Sequence, residues 1–148
     1  MQQAGIAIAM LGALCALATP AYATLGGNVA TIASDATAMH ATSHTVTTQA
    51  AYAVHTLTLP TGTVVNEYVS TAGLVFGVAW NGPTLPDLKT TLGASFDTWV
   101  AANATRHVNE GVETDSLVVV SGGHLRAFAG HAYLPSSVPA GVDASSIQ

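Results

Sequence analysis

Two short turn sequences divide one stretch of the chain into three apolar segments, and this division constrains the fold more than any other feature. The triplet Pro60-Thr61-Gly62 separates Ala53–Leu59 from Thr63–Ser70, and Thr71-Ala72-Gly73 separates the second segment from Leu74–Trp80. Proline favours the first position of a turn, and glycine favours the position that needs a left-handed backbone. The pattern therefore predicts a three-stranded antiparallel meander with a three-residue loop at each turn.

A helical pattern of apolar residues follows the meander. Thr84 stands three residues before Asp87, a spacing typical of a helix N-terminus. Apolar residues then recur every three or four positions, which predicts one amphipathic helix of about 18 residues packed on the sheet. The stripe consists of Leu85, Leu88, Leu92, Phe96, Trp99 and Val100.

Less regular patterns flank these elements. Asn28 can cap a short helix, and residues 40–49 form either an exposed connection or the ragged start of a strand. Near the C-terminus, Leu117–Ser121 and His124–Tyr133 flank Gly122-Gly123, which predicts a hairpin with a two-residue glycine turn followed by a surface tail. Together the patterns predict a two-layer α+β domain, in which a mainly antiparallel sheet of about five strands (meander plus C-terminal hairpin) carries the amphipathic helix.

The N-terminus has the layout of a secretory signal peptide. Ile6–Leu17 is an almost unbroken apolar run, of the length of a signal-peptide core and too short to span a bilayer. Ala21-Tyr22-Ala23 then supplies the small residues that signal peptidase requires. We expect removal of residues 1–23, so that a single domain of residues 24–148 begins at Thr24 and is exported to the periplasm or secreted.

An uncleaved N-terminal membrane anchor is the alternative interpretation of this segment. Met1-Gln2-Gln3 carries no lysine or arginine, unlike the usual start of a signal peptide, and a start codon placed too far downstream would explain this. After cleavage, no stable membrane insertion is expected.

The charge and cysteine content exclude several classes of function. The formal net charge is −5, with three basic and eight acidic residues, whereas nucleic acids and anionic lipids require basic surfaces. The one cysteine, Cys15, lies in the predicted signal peptide, so the exported domain is expected to contain no disulfide and no catalytic thiol. The expected partner is therefore a protein or a small molecule, and no cofactor is predicted.

Glu67 is the principal candidate for a functional residue. The predicted hairpin register places it opposite His55 and Gly77 on a largely apolar face, where a carboxylate needs a partner because an unpaired buried charge is costly. Arg126, predicted to lie opposite Val119, is a second possible partner. The three residues form either a polar binding pocket or a structural ion pair that fixes strand register, and the structural interpretation is favoured.

The other candidate motifs are weaker. His40 and His44 have the spacing of metal ligands on a helix, but no third ligand accompanies them, so no metal site is predicted. Gly93-Ala94-Ser95-Phe96-Asp97 lacks the second glycine of a nucleophile elbow and lies inside the predicted helix. No catalytic residue is predicted.

Several segments of the chain resemble one family. They include Leu25-Gly26-Gly27, Tyr52–Thr63, Glu67–Ser70, Gly122–Phe128 and Tyr133-Leu134-Pro135. Together they are similar to a family of small exported bacterial proteins catalogued as domain of unknown function 2844, over nearly the whole predicted mature chain. The resemblance implies an extracytoplasmic protein and assigns no activity to any residue.

These observations favour a non-enzymatic envelope or secreted protein that binds a partner or a small ligand. The alternative is a hydrolase-like enzyme of unrecognised type that uses Glu67, His55 and Arg126. An open pocket around Glu67 would favour the enzyme, and a filled site between sheet and helix would favour the binding protein.

Overall fold

The computed structural model describes residues 25–104 and 111–148. Within them, one open sheet of seven antiparallel strands is accompanied by three short α-helices. The strands are β1 (Ser43–Thr48), β2 (Tyr52–Thr58), β3 (Val64–Ser70), β4 (Val75–Gly82), β5 (Val112–Glu113), β6 (Val118–His124) and β7 (Ala127–Tyr133), and the helices are α1 (Ile32–Ala38), α2 (Leu88–Leu92) and α3 (Ser95–Ala104). The strand order is β1-β2-β3-β4-β7-β6-β5.

The predicted α+β class with a mainly antiparallel sheet is confirmed, and the strand number is larger than predicted. The predicted signal peptide and its cleavage site lie outside the described residues. In the described part of the chain, no helix is long and apolar enough to cross a bilayer.

The first hairpin has the predicted register. Leu57 pairs with Val65, and His55 pairs with Glu67. Gly62 and Gly73 occupy the left-handed positions of the two turns, with φ of 87° and 80°. The turn residues therefore set the register, because each loop needs glycine where the backbone turns back.

A β-bulge changes the register between β3 and β4. Tyr68 pairs with Gly77 and Val69 with Val75, so that Phe76 is an extra residue on β4. Glu67 consequently pairs with Val78 and not with Gly77, which corrects the predicted register. The same shift turns Val78 and Trp80 towards the face that Glu67 occupies, although both were predicted on the opposite face.

The C-terminal hairpin turns at a different place from the one predicted. Its two-residue turn is Leu125-Arg126, flanked by the pair His124 and Ala127. Gly122 and Gly123 lie inside β6 and pair with residues of β7. The sequence analysis also missed β5 and gave β1 only as a possible strand. Every residue of β1 is exposed, so its sequence lacks the alternation of apolar and polar residues that indicates a strand.

The predicted long helix is two helices. Gly93, with φ of 51°, ends α2, and α3 begins two residues later. Asp87 is the N-cap, because its side chain accepts a hydrogen bond from the backbone N–H of Lys89. Leu85 and Val100, predicted to face the sheet, are 43% and 44% exposed.

Each face of the sheet has its own covering. We call the face that carries Glu67 the helix face, because helices and loops pack on it around a mainly aliphatic core. This core includes Ile32, Leu57, Val65, Val69, Val78, Trp80, Leu88 and Leu92. We call the opposite face the tail face, because the C-terminal tail after Leu134 covers its smaller core of Tyr68, Phe76, Ala79 and Ile147.

The sequence predicted a surface tail, but the tail packs on the sheet. Ile147 is 1% exposed and lies against Gly77, where a Cβ atom would be 3.0 Å from its Cδ1 atom. The hydroxyl of Tyr68 donates a hydrogen bond of 2.9 Å to the carbonyl oxygen of Gln148. These contacts hold the tail on the strands.

Candidate functional site

Glu67 lies in the middle of β3, on the helix face. The alternation of the strand directs its side chain to the same face as Val65 and Val69, and the residue is 1% exposed. Its Oε2 atom is buried and accepts no hydrogen bond in the described part of the chain. A carboxylate in such a place would carry a large desolvation cost.

The surroundings of Glu67 favour its protonated form. Burial, and then the negative charge of Asp35, raise the pKa of the Glu67 carboxyl to about 8. Glu67 is therefore mainly neutral at pH 7. This differs from the predicted ion pair, which required an ionised carboxylate.

Asp35 is the second acid at this site, and it was not predicted. It belongs to α1 and is fully buried. The signal was present, because Asp35 stands three residues after Ile32 and four before Met39, on the apolar side of a short amphipathic helix. A carboxyl group at that position faces the sheet, where its negative charge contributes to the raised pKa of Glu67.

His55 is opposite Glu67 in register, as predicted, but its hydrogen-bond partner is His44. The Nδ1 atom of His55 and the Nε2 atom of His44 are 3.0 Å apart, and the ring centroids are 5.2 Å apart. Burial, and then His44, lower the pKa of His55, which favours the neutral imidazole. The pair was not predicted, because the two histidines are brought together only by the pairing of β1 with β2.

Arg126 is distant from both Glu67 and His55. It occupies the exposed turn between β6 and β7, with φ of 68°. Val119 pairs with Ala132 and not with Arg126, which corrects the predicted register. Ala132 also pairs with Val78, the partner of Glu67, so Arg126 lies six residues farther along the hairpin, about 20 Å at the rise of a strand.

His40 and His44 do not share a helix. His40 follows α1 with φ of 54°, and His44 is in β1. The described residues contain no group of three or more histidine, cysteine, aspartate or glutamate side chains arranged to hold a metal ion.

An open cavity of about 420 Å³ lies away from Glu67, and we call it the turn cavity. It is formed where the end of α1 meets the β2–β3 turn and the loop between β4 and α2. Its walls are mostly apolar, with threonines, His40 and Asp87 among them. The lining residues include Met39, Leu59, Pro60, Thr61, Thr84, Leu85 and Pro86.

A second cavity, of about 560 Å³, lies beside the tail. The rings of His131 and Tyr133 stack with centroids 6.2 Å apart on its strand side, and Asp143, Ile147 and Gln148 line the other side. Neither cavity includes Glu67 or His55.

Comparison with known proteins places the chain in a family. No curated protein and no solved structure matches it. A family model described as a protein of unknown function (DUF2844) matches residues 21–147, nearly all of the sequence. The resemblance found in the sequence is thereby confirmed, and the chain belongs to the DUF2844 family.

Proposed function

We propose that the chain is an exported, non-enzymatic binding protein that holds a small, mainly apolar molecule in the turn cavity. The observation that carries the proposal is the contrast between this open cavity and the buried acid. A volume of about 420 Å³ is within the usual range of small-molecule sites.

The burial of Glu67 gives little support to the hydrolase-like alternative. A general acid or base must come within hydrogen-bond reach of its substrate, directly or through one water. Glu67 is 1% exposed, and neither cavity reaches it. Arg126 is on an exposed turn, too far away to stabilise charge on a substrate at Glu67.

The walls of the turn cavity indicate the chemistry of the ligand. Met39, Leu59 and Pro86 offer apolar surface, and Leu85 is 43% exposed beside them. A ligand that covered Leu85 would gain the free energy of removing this apolar surface from water. The expected ligand therefore has an apolar body.

The hydroxyls of Thr61 and Thr84 line the polar end of the cavity, and both lie within hydrogen-bond distance of the buried hydroxyl of Thr63. The Oγ1 atoms of Thr61 and Thr84 are 2.7 Å apart, and Thr63 Oγ1 donates to the carbonyl oxygen of Thr84 at 2.8 Å. The carboxylate of Asp87 already accepts hydrogen bonds from Lys89 N–H and Thr90 Oγ1. Hydroxyl groups both donate and accept, so they suit an uncharged hydrogen-bonding group on the ligand.

The test uses the neutral fluorescent probe N-phenyl-1-naphthylamine and two leucine variants. Leu85→Asp places a carboxylate on the wall of the cavity, and we expect it to raise the dissociation constant of the probe at least about tenfold. The matched control is Leu125→Asp, because Leu125 is 88% exposed on the β6–β7 turn and lines neither cavity. Equal effects of the two variants, or no fluorescence enhancement with the native protein, would contradict the proposal.

Export is supported by the signal-peptide pattern of residues 1–23 and is tested separately. N-terminal sequencing of the protein recovered from the periplasm or medium should begin at Thr24. An intact N-terminus in the membrane fraction would overturn both cleavage and release of a soluble domain, and would leave the ligand proposal standing.

A further inference from the structure

We propose that His44 and His55 form a binding site for a divalent transition-metal ion, with Cu²⁺ bound most tightly. The site lies at the edge of the sheet, on the helix face of β1 and β2. It is separate from the turn cavity and does not depend on the proposed ligand.

The distance between the two ring nitrogens carries the inference. His44 Nε2 and His55 Nδ1 are 3.0 Å apart. Imidazole nitrogens bind such ions at about 2.0–2.1 Å, so two neighbouring ligands of one ion are about 2.9–3.4 Å apart. The observed separation falls in this range, and each ring would have to turn by roughly 40° for both lone pairs to meet at one ion about 2.0–2.1 Å away.

The pairing of the strands keeps the two ligands in place. Val46 pairs with His55 and Leu57 pairs with His44, so the histidines are diagonal neighbours on one face of a regular antiparallel ladder. Side chains in this relation are within mutual reach, and long or aromatic ones make contact. The ion would therefore bind to groups that already lie together, with little conformational entropy to lose.

Access and charge also favour a cation here. His44 is exposed on an edge strand, so an ion can approach from solvent. β1 and β2 contain no lysine or arginine, and the chain carries a formal charge of −5.

The chemistry of the donors selects the ion. Imidazole suits copper, nickel and zinc, whereas magnesium and calcium prefer oxygen donors. For a given nitrogen site, affinity rises through nickel to copper and then falls at zinc. Two protein ligands leave positions for water, so the site should be weaker than a closed structural zinc site.

Calorimetric titration of the untagged, purified protein with CuCl₂ tests the site. We expect one Cu²⁺ per chain, with NiCl₂ and ZnCl₂ bound more weakly. His44→Gln retains a side chain that can hydrogen-bond to His55 but lacks the imidazole ligand, and it should weaken Cu²⁺ binding at least about tenfold. The matched control, His124→Gln, changes an exposed histidine at the end of β6 and should leave the affinity unchanged within about twofold.

Electron paramagnetic resonance of the Cu²⁺-loaded native protein gives a readout that needs no variant. Hyperfine structure from two imidazole nitrogens is expected. A spectrum with a single nitrogen ligand would overturn the proposal, as would Cu²⁺ binding that survives His44→Gln or is equally reduced by His124→Gln. Failure to bind Cu²⁺ at all would overturn it too.

Discussion

The helix face and the tail face of the sheet are covered in different ways. On the helix face, α1 and α2 bury a mainly aliphatic core that also encloses two acids, Asp35 and Glu67. On the tail face, an extended segment with short 3₁₀ turns covers aromatic rings. Tyr52 and Phe76 meet there edge to face, with centroids 6.0 Å apart.

The difference shows two sources of stability in one sheet. The helix face has the larger core but contains titratable groups, so its contribution should change with pH. The tail face has a smaller core without a buried acid among its described members, so it should depend on shape and contact. Three experiments compare the faces.

Removal of the aromatic core of the tail face should have the largest effect. Phe76 is fully buried, so Phe76→Ala should lower the free energy of unfolding by about 3–5 kcal/mol. Urea denaturation measures this change. Phe96→Ala on α3 is the control; Phe96 is only partly buried, and we expect a loss below about 2 kcal/mol. A larger loss for Phe96 than for Phe76 would reverse the ranking of the two positions.

Ionisation of Glu67 should have the next largest effect, confined to the helix face. Its pKa of about 8 is raised above the ordinary value of 4.5. The stabilisation from the buried neutral form is fully present below pH 4.5 and is lost as pH rises through about 8. Between pH 5 and 9 the free energy of unfolding of the native protein should fall by about 3–4 kcal/mol relative to that of Glu67→Gln, which has no group to ionise at this position.

Glu67→Gln separates this effect from other titrations. Asp35 on α1 and His55 and His44 on the neighbouring strands remain in both proteins, so the difference between the two stability curves reports mainly Glu67. At pH 7 the variant should be at least as stable as the native protein, because glutamine has the size of the neutral acid. Parallel curves across this pH range would show that Glu67 is ionised in the folded state.

The contact between the tail and β4 should have the smallest effect of the three. Ile147→Ala should cost about 2–3 kcal/mol, and Gly77→Ala about 1–2 kcal/mol, because the new Cβ would press on Ile147. In the Ile147→Ala background, Gly77→Ala should cost less than about 0.5 kcal/mol, since the space is then free. Additive effects in the double variant would place the side chain of Ile147 away from Gly77.

The sequence predicted those parts of the fold in which a local rule decides the outcome. Gly62 and Gly73 fixed the turns, and with them the pairing of His55 with Glu67. The bulge at Phe76 could not be predicted, because β4 is apolar on both sides and either register buries apolar residues. The prediction for Glu67 therefore had the correct face and the correct partner on β2, His55, but the wrong partner on β4.

Glycine was misleading where its role is close approach. Gly122-Gly123 has the composition of a turn, but Gly123 has φ of 133° within the ladder, and a Cβ there would collide with the carbonyl oxygen of Ala127. At Gly93 the apolar stripe continues in the sequence, although the helix ends there and a second helix begins. Neither distinction is visible without the partner strand or the packed helix.

The His44–His55 pair and the turn cavity could not be found from spacing alone. His44 is in a strand without apolar alternation, so its pairing with β2 had no sequence signal. The cavity joins three segments that are far apart in the chain. Such sites depend on long-range contacts, whereas single-sequence patterns report local structure.

The strand order has a consequence for the time course of folding. β7 is inserted between β4 and β6, and Gly77 pairs with Tyr133, more than 50 residues later in the chain. Contacts over such separations form slowly, because the intervening loop must first lose its entropy, whereas the meander needs only short loops. The meander is therefore expected to assemble early with one edge of β4 open, and this edge remains a template for intermolecular pairing until the last strands arrive.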